Sequence, residues 1–261
     1  MTVLACLKWV LPPDGARYGG ATLADQSALE WALRVGESWD LPVVAVMLGP
    51  PEGEQVLRDT LACGATSAHR IDADACLSSS AVGAALAAVA LGVAARVVVC
   101  GDYSPDRGSG STPAFIAGEL GAQQALGLLD VEIADDHLLA LRRLDGGRRE
   151  RLRVSPQCVV SVEGGTATLR RAPLAAVLAS RAAVVSVSAG PRSEPIDSTV
   201  RPYRPRARVE PAPTGARAIE RIQSLLSSGV SGTAKAEPVT LDPPAAAERI
   251  LAALTEWGYF S

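Results

Sequence analysis

The sequence has few aromatic residues, 4 % of its 261 positions, so its core is built mostly from Ala, Val and Leu. Histidine is scarcer still. His69 and His137 lie far apart in the chain, which excludes a His-rich metal centre and leaves each a surface or structural role. The five cysteines, Cys6, Cys63, Cys76, Cys100 and Cys158, are odd in number and lack CxxC spacing. Most sit in apolar segments, so they read as buried, reduced thiols of a cytosolic protein rather than a metal or redox centre. No apolar run reaches the length of a membrane span. The opening "MTVLACLKWV" reads as a strand, without the charged segment and cleavage site of a signal peptide. A net charge of −3 argues against nucleic acid or an anionic membrane as the main partner. There is no GxGxxG, no P-loop lysine, no Ser–His–Asp order, no internal repeat and no heptad.

What is present is 48 % hydrophobic residues, enough for one large domain with or without appendages. Strands and helices alternate over the first 121 residues. Val3–Val10 is a short apolar strand, and Asp25 opens a helix with Ala28, Leu29, Ala32 and Leu33 at helical spacing. Leu41–Pro50 is a second strand. "EQVLRDTLACG" is a helix ending at Gly64, "ATSAHRID" a weaker strand, and Ser78–Val93 a serine-capped helix. Ala95–Cys100 is a fourth strand. A loop rich in Gly, Ser, Pro and Asp then leads into "TPAFIAGELG", with Pro113 in its first turn. This order predicts an α/β fold with a doubly wound parallel sheet.

After Gly127 the period changes to two, and "DGG" at 145–147 separates two strands, so a β-hairpin is expected within 131–163. "PLAAVLASR" is a short helix and "AAVVSVS" a strand. The chain divides into a nucleotide-binding domain, 1–189, and an extended C-terminal arm with helices, 190–261, that packs on a partner subunit or on its own domain. Within the arm, 190–213 is rich in Pro and Arg, "GARAIERIQSLLSS" and "AAAERILAALTEWGYF" are amphipathic, and the segment between them is a linker.

In a doubly wound sheet the ligand crevice lies beyond the carboxyl ends of the strands. Four segments converge there: Cys6–Val10, Thr22–Asp25, Leu48–Pro50 and the loop after Cys100. In that loop Gly108, Ser109, Gly110, Ser111 and Thr112 directly precede a helix, where backbone N–H groups and hydroxyls suit a phosphate. A merely capped loop fits the same residues. Asp102 and Asp106 read as solvated or capping carboxylates, and no catalytic constellation is present. The basic stretch "RRLDGGRRER" reads as a solvated turn.

The order of these segments resembles the β subunit of electron transfer flavoproteins, the FixA-like family, over nearly the whole chain. "LACLKWV", with Lys8 at the family lysine, is similar to its opening strand, and "DQSALEWALRV" to its first helix. "VVAVMLGP" and "LRDTLACGATSAHRI" are similar to its next segments. "VVVCGDYSPDRGSGSTPAFIAGELG" is similar to its Gly-x-x-x-x-Asp loop, and "RRLDGGRRERLRVSPQCVVSV" to its signature. The resemblance implies an adenine nucleotide alpha hydrolase-like, Rossmann-like fold and an electron carrier rather than an enzyme. It implies a cytoplasmic heterodimer with an α subunit that holds FAD, AMP bound structurally in this chain, and a dehydrogenase as electron donor. Carried over by position, the nucleotide site is Cys6, Thr22, Leu23, Ala24, Asp25, Leu48, Gly101, Asp106, Gly108, Ser109, Gly110, Ser111 and Thr112, with Gly110 to Thr112 around the phosphate.

The chain departs from the family pattern in two places. Gly110 and Ser111 precede Thr112 where the family often has Asn and Gln, so fewer side-chain donors face the phosphate. "TLRRAPLAAVLASR" replaces the family's dehydrogenase-docking segment and its lysine cluster, and Leu174 is the candidate anchor, with a core position in a short helix as the competing role. These departures imply a dedicated dehydrogenase. They are similar to divergent actinobacterial members, some associated with mycofactocin-type redox systems. Two other readings compete: a stand-alone ATP-binding module like universal stress proteins, and a bifurcating β subunit with its own FAD.

Overall fold

Six residues, Thr2–Leu7, form the first strand (β1), and their side chains alternate between two cores. Val3, Ala5 and Leu7 face one layer of helices, and Leu4 and Cys6 face the other. The computed structural model describes residues 1–11, 19–74, 77–192, 215–228 and 239–257. The chain separates into two compact units, Met1–Asp197 and Ser198–Ser261.

The expected strand Val3–Val10 stops three residues early. The Lys8 N–H donates to the Asp25 carboxylate at 3.2 Å instead of continuing the ladder. Trp9–Val10 (β2) then pairs antiparallel with Gly20–Ala21 (β3) in a separate ribbon. Helix α1, Leu23–Trp39, begins two residues before Asp25. Thr22 caps it and Asp25 sits at its third position, each bonding the other's backbone N–H in a capping box.

The first unit continues with β4 (Val43–Gly49), α2 (Glu54–Cys63), β5 (Ser67–Asp72), α3 (Ser79–Gly92), β6 (Ala95–Gly101) and α4 (Thr112–Leu120). Then follow β7 (Gln123–Ile133), β8 (Leu138–Arg143), β9 (Arg149–Val154), β10 (Cys158–Val162), α5 (Leu174–Ala182) and β11 (Ser186–Ala189). The nine-stranded sheet has the order β11-β5-β4-β1-β6-β10-β7-β8-β9. Its strands are parallel from β11 to β7, and β8 and β9 are antiparallel. Helices α1 and α2 cover one face, and α3 and α4 cover the other. This is the doubly wound α/β fold.

The hairpin forms as expected at Asp145–Gly147, between β8 and β9. Two details differ from the pattern in the sequence. The third strand-forming stretch of 131–163, Cys158–Val162, leaves the hairpin and inserts between β6 and β7. All five of its residues are buried, as a strand covered on both faces requires. In addition, Gly127 is not the boundary of the change in pattern. It lies inside β7 at φ 68°, beside a register shift that frees its N–H to donate to Ser161 Oγ at 3.0 Å.

In the second unit, Ala218–Ser228 (α6) and Pro243–Glu256 (α7) are helical, and Asp242 caps α7 by accepting the Ala245 N–H at 2.9 Å. Ile250, Leu251 and Trp257 are exposed. Half of the expected arm, residues 193–214, 229–238 and 258–261, lies outside the described residues, as does Cys76. Among the described residues no helix is long and apolar enough to cross a membrane.

Candidate functional site

The chain runs from β1 through β4 to β5 on one side, then returns to β6 on the other, so the order of the sheet reverses at β1. Such a reversal opens a crevice at the carboxyl ends of the strands. A cleft of about 300 Å³ lies there. Its apolar wall includes Cys6, Leu48, Leu77, Val82, Leu86 and Cys100, and its polar wall includes Lys8, Thr22, Ser104, Asp106, Ser109 and Thr112.

The N-termini of three helices border the cleft through Thr22 and Asp25 (α1), Ser79 (α3), and Thr112 and Pro113 (α4). They are not equivalent. The Thr22 hydroxyl accepts the Asp25 N–H at 3.1 Å, and Ser78 accepts the Ala81 N–H at 3.2 Å. Ser111, at the N-cap of α4, gives no side-chain bond to its helix. Pro113 has no N–H and the Ala114 N–H donates to the Ser111 carbonyl at 3.1 Å, so this end offers the cleft the Thr112 backbone and hydroxyl together with the helix dipole.

Asp25 is 6 % exposed. It accepts from the Lys8 N–H, from the Thr22 N–H at 3.0 Å and from the Thr22 hydroxyl at 2.6 Å. Burial nevertheless holds its pKa above the ordinary aspartate value. The Lys8 ammonium crosses to the loop after β6. It donates at 2.7 Å to both oxygens of Asp106 and at 2.7 Å to Ser104 Oγ, and the Ser104 hydroxyl in turn donates to Asp106. Partial burial pushes the Asp106 carboxyl up, but the bonds from Lys8 and Ser104 outweigh it and hold it below the usual range. Arg107 donates to the Leu77 carbonyl, fastening the loop to the segment before α3.

The loop is closed on itself. The Ser104 N–H donates to Ser109 O at 2.9 Å and the Gly108 N–H to Ser104 O at 2.8 Å, with Gly108 at φ 63°. Gly110 packs so tightly that a Cβ there would stand 2.0 Å from the Asp102 carbonyl. A Cβ on Gly101 would stand 3.0 Å from Ala24. These two glycines let the chain approach itself rather than a ligand. Asp102 anchors the loop to the sheet, accepting from the Ser161 hydroxyl at 2.7 Å while its N–H donates to Val162 O at 3.0 Å.

Of the positions carried over from the sequence, Cys6, Thr22, Asp25, Leu48, Gly101, Asp106, Ser109, Gly110 and Thr112 line the cleft. Leu23 is exposed, and Ala24 is buried behind Gly101. Gly108 and Ser111 shape the loop without lining the cleft. Lys8 and Trp9 lie in the converging segment Cys6–Val10, and Tyr103 lies in the loop after Cys100, so the sequence places all three at the crevice. It does not show the wall of Leu77 and, on α3, Val82 and Leu86, whose sole signal is the apolar composition there. Cys6 and Cys100 are paired in register across β1 and β6. Their mutual contact, then burial, pushes the Cys100 thiol well above its ordinary value, as for inert packing thiols. Among the described residues no group of His, Cys, Asp or Glu is placed to hold a metal. Leu174, the first residue of α5, is 73 % exposed, which excludes the core role weighed for it.

The family model "Electron transfer flavoprotein domain" matches residues 17–192, a span that includes the start of α1, the end of β4 and the whole loop after β6. The chain is 31 % identical over 156 residues to the electron transfer flavoprotein subunit beta of Methylophilus methylotrophus, covering 58 % of this chain and 59 % of that protein. It is 29 % identical over 215 residues to the protein FixA of Rhizobium meliloti (strain 1021), covering 72 % and 73 %. A third relative, the electron transfer flavoprotein subunit beta of Dictyostelium discoideum, is 26 % identical over 175 residues, covering 67 % and 69 %. The chain thus spans 59 % of the length of the Methylophilus relative and more of the other two. With a mostly parallel sheet, a cleft at its reversal point and a family match over residues 17–192, the chain belongs to the electron transfer flavoprotein family, on the side of its β subunits and FixA.

Proposed function

We propose that this chain is the β-type subunit of an electron transfer flavoprotein, an electron carrier rather than an enzyme. It binds AMP in the cleft at the β1 reversal and pairs with an α-type subunit holding FAD. The pair carries electrons in the cytoplasm from a dehydrogenase to an acceptor. The observation that carries the nucleotide reading is the start of α4. It borders the cleft without a side-chain cap, where the other two helices are capped. A volume of about 300 Å³ is at the lower end of small-ligand pockets, which run from about 300 to 1,000 Å³.

The residues fit an adenine nucleotide. Leu48, Val82, Leu86 and the two thiols exclude water from a planar base, and Thr112 and the first turn of α4 receive its phosphate. When bound in the partner, the flavin supplies the redox chemistry. This chain's own residues contribute binding and shape. Asp25 fixes the α1 end of the cleft and Asp102 fixes the loop. Exposed Leu174, at the start of α5, is the proposed dehydrogenase anchor.

The test is to co-express the chain with its α subunit, record the visible spectrum, denature the complex and identify the released nucleotides by chromatography. The expected result is one FAD and one AMP per heterodimer. Two FAD would replace the reading with a bifurcating subunit. A chain that purifies alone and releases ATP or nothing would sink it. Leu174→Ser is expected to slow reduction by the dehydrogenase and to leave the spectrum and the bound nucleotides unchanged.

A further inference from the structure

Lys8 is one of two lysines in the chain and, among the described residues, the only one lining the cleft. Its charge is already committed. Both oxygens of Asp106 and the Ser104 hydroxyl take its three donor directions at 2.7 Å. Asp106 is held in that position by a closed turn, bridged from Ser104 to Ser109 and turned by Gly108, so the carboxylate is presented to the lysine before any ligand arrives. The other cation among the described residues of the cleft, Arg107, reaches the Leu77 carbonyl. Against these two cations the described lining residues set three carboxylates, Asp25, Asp74 and Asp106. A site built for many phosphate charges would offer unmatched cations.

We infer that Asp106 is an intramolecular anion that holds Lys8 against phosphate, and that this pair sets how many phosphate charges the cleft accepts. The inference rests on the nucleotide reading of the same cleft and adds a specificity-determining residue to it. An incoming phosphate at the start of α4 meets backbone dipoles and hydroxyls but a neutralised lysine. Each further phosphate must either leave Lys8 paired and accept repulsion from Asp106, or separate the pair. The pair is about one-third exposed on each side, 37 % and 35 %, so it can be opened at modest cost. The site therefore favours nucleoside and monophosphate over di- and triphosphate.

The test is calorimetric titration of the heterodimer with its α subunit, flavin retained and bound AMP dialysed away, for wild type and Asp106→Asn at low ionic strength. The probes are adenosine, AMP, ADP, ATP and inorganic tripolyphosphate. Asp106→Asn is expected to tighten AMP about fivefold and ATP about tenfold or more, with tripolyphosphate following ATP and adenosine unchanged. In a Lys8→Met background the same substitution relieves only the repulsion from Asp106, so it is expected to tighten AMP and ATP less than in the wild-type background and to leave adenosine unchanged. Asp106→Ser gives the same order if the Asn protein does not fold, folding being checked by its thermal midpoint. An affinity ladder that does not move, or a loss that includes adenosine, overturns the role of Asp106; if AMP still binds, the nucleotide reading stands. Tripolyphosphate tightened by Asp106→Asn without any binding of adenine compounds keeps the role of Asp106 and removes the nucleotide reading. No binding of any probe to either protein overturns both.

Discussion

Helix α1 is tied to the rest of its unit by ion-pair clusters at two places, and they differ in kind. At its first turn, Asp25 holds the Lys8 backbone, and Lys8 holds Asp106 through a pair about one-third exposed. Midway along, Glu30, with a side chain 6 % exposed, accepts from the Arg170 guanidinium at 3.1 Å and from the Arg170 N–H at 3.1 Å. Arg170 also reaches Glu37, and Arg34 adds a second cation to Glu30 at 2.9 Å. The first cluster fixes a loop at the cleft and can open. The second fixes the segment before α5 around one buried carboxylate, Glu30, while Arg170, Arg34 and Glu37 stay 32 %, 42 % and 61 % exposed. An exposed pair is worth little to stability, whereas a buried charge stripped of its partner is costly. The clusters should therefore separate in experiment, one governing ligand binding and the other the fold.

The largest stability effect is expected from Arg170→Ala, which leaves Glu30 buried with Arg34 alone. A loss of about 3 kcal/mol in chemical denaturation is expected. The variant should also lose acid sensitivity. The bonds from Arg170 and Arg34 outweigh the burial of Glu30 and hold its pKa below the ordinary 4.5. Its contribution is therefore complete above that value and fades as the pH falls through the lower folded value. Wild type should lose stability over that acidic window, and Arg170→Ala should lose less. Equal acid slopes in the two proteins would break the comparison on the side of the buried cluster.

Gly110→Ala comes next, because its Cβ must displace the Asp102 carbonyl. About 2 kcal/mol of stability and most of the AMP binding should go with it. Full binding in that variant would mean that the loop has slack. Thr22→Ala removes the capping box of α1 and should cost about 1 kcal/mol by thermal unfolding. Lys8→Met is expected to be the mildest, within about 1 kcal/mol of wild type. A destabilisation matching that of Arg170→Ala would erase the difference between the two clusters.

The order of elements was legible because parallel strands covered on both faces are short apolar runs, and "VVAVML" and "RVVVC" are written as such. Where β10 goes was not legible. "CVVSV" follows a hairpin, and local pattern joins it to that hairpin, but it inserts between strands more than 20 residues earlier in the chain. The loop after β6 could be recognised from its composition, and nine of the carried-over positions do meet in one cleft. The purpose of its glycines could not be recognised, since crowding by Asp102 and Ala24 arises only in three dimensions. The Lys8–Asp106 pair spans 98 positions and leaves no local signal. The early end of β1 turns on a single side-chain acceptor, Asp25, which periodicity does not register.

The anchoring of Asp102 to Ser161 and Val162 also bears on folding order. The loop that borders the cleft takes its footing from β10, which lies some 60 residues downstream of it and is flanked on both sides by strands made earlier. During synthesis β6 and β7 are complete before the strand between them exists, so the gap must stay open or reopen to admit it. Contacts of such sequence separation form slowly. The cleft therefore matures late, and a nascent chain ending before Cys158 already has all the described residues that line it but not yet the strand that holds its loop in place.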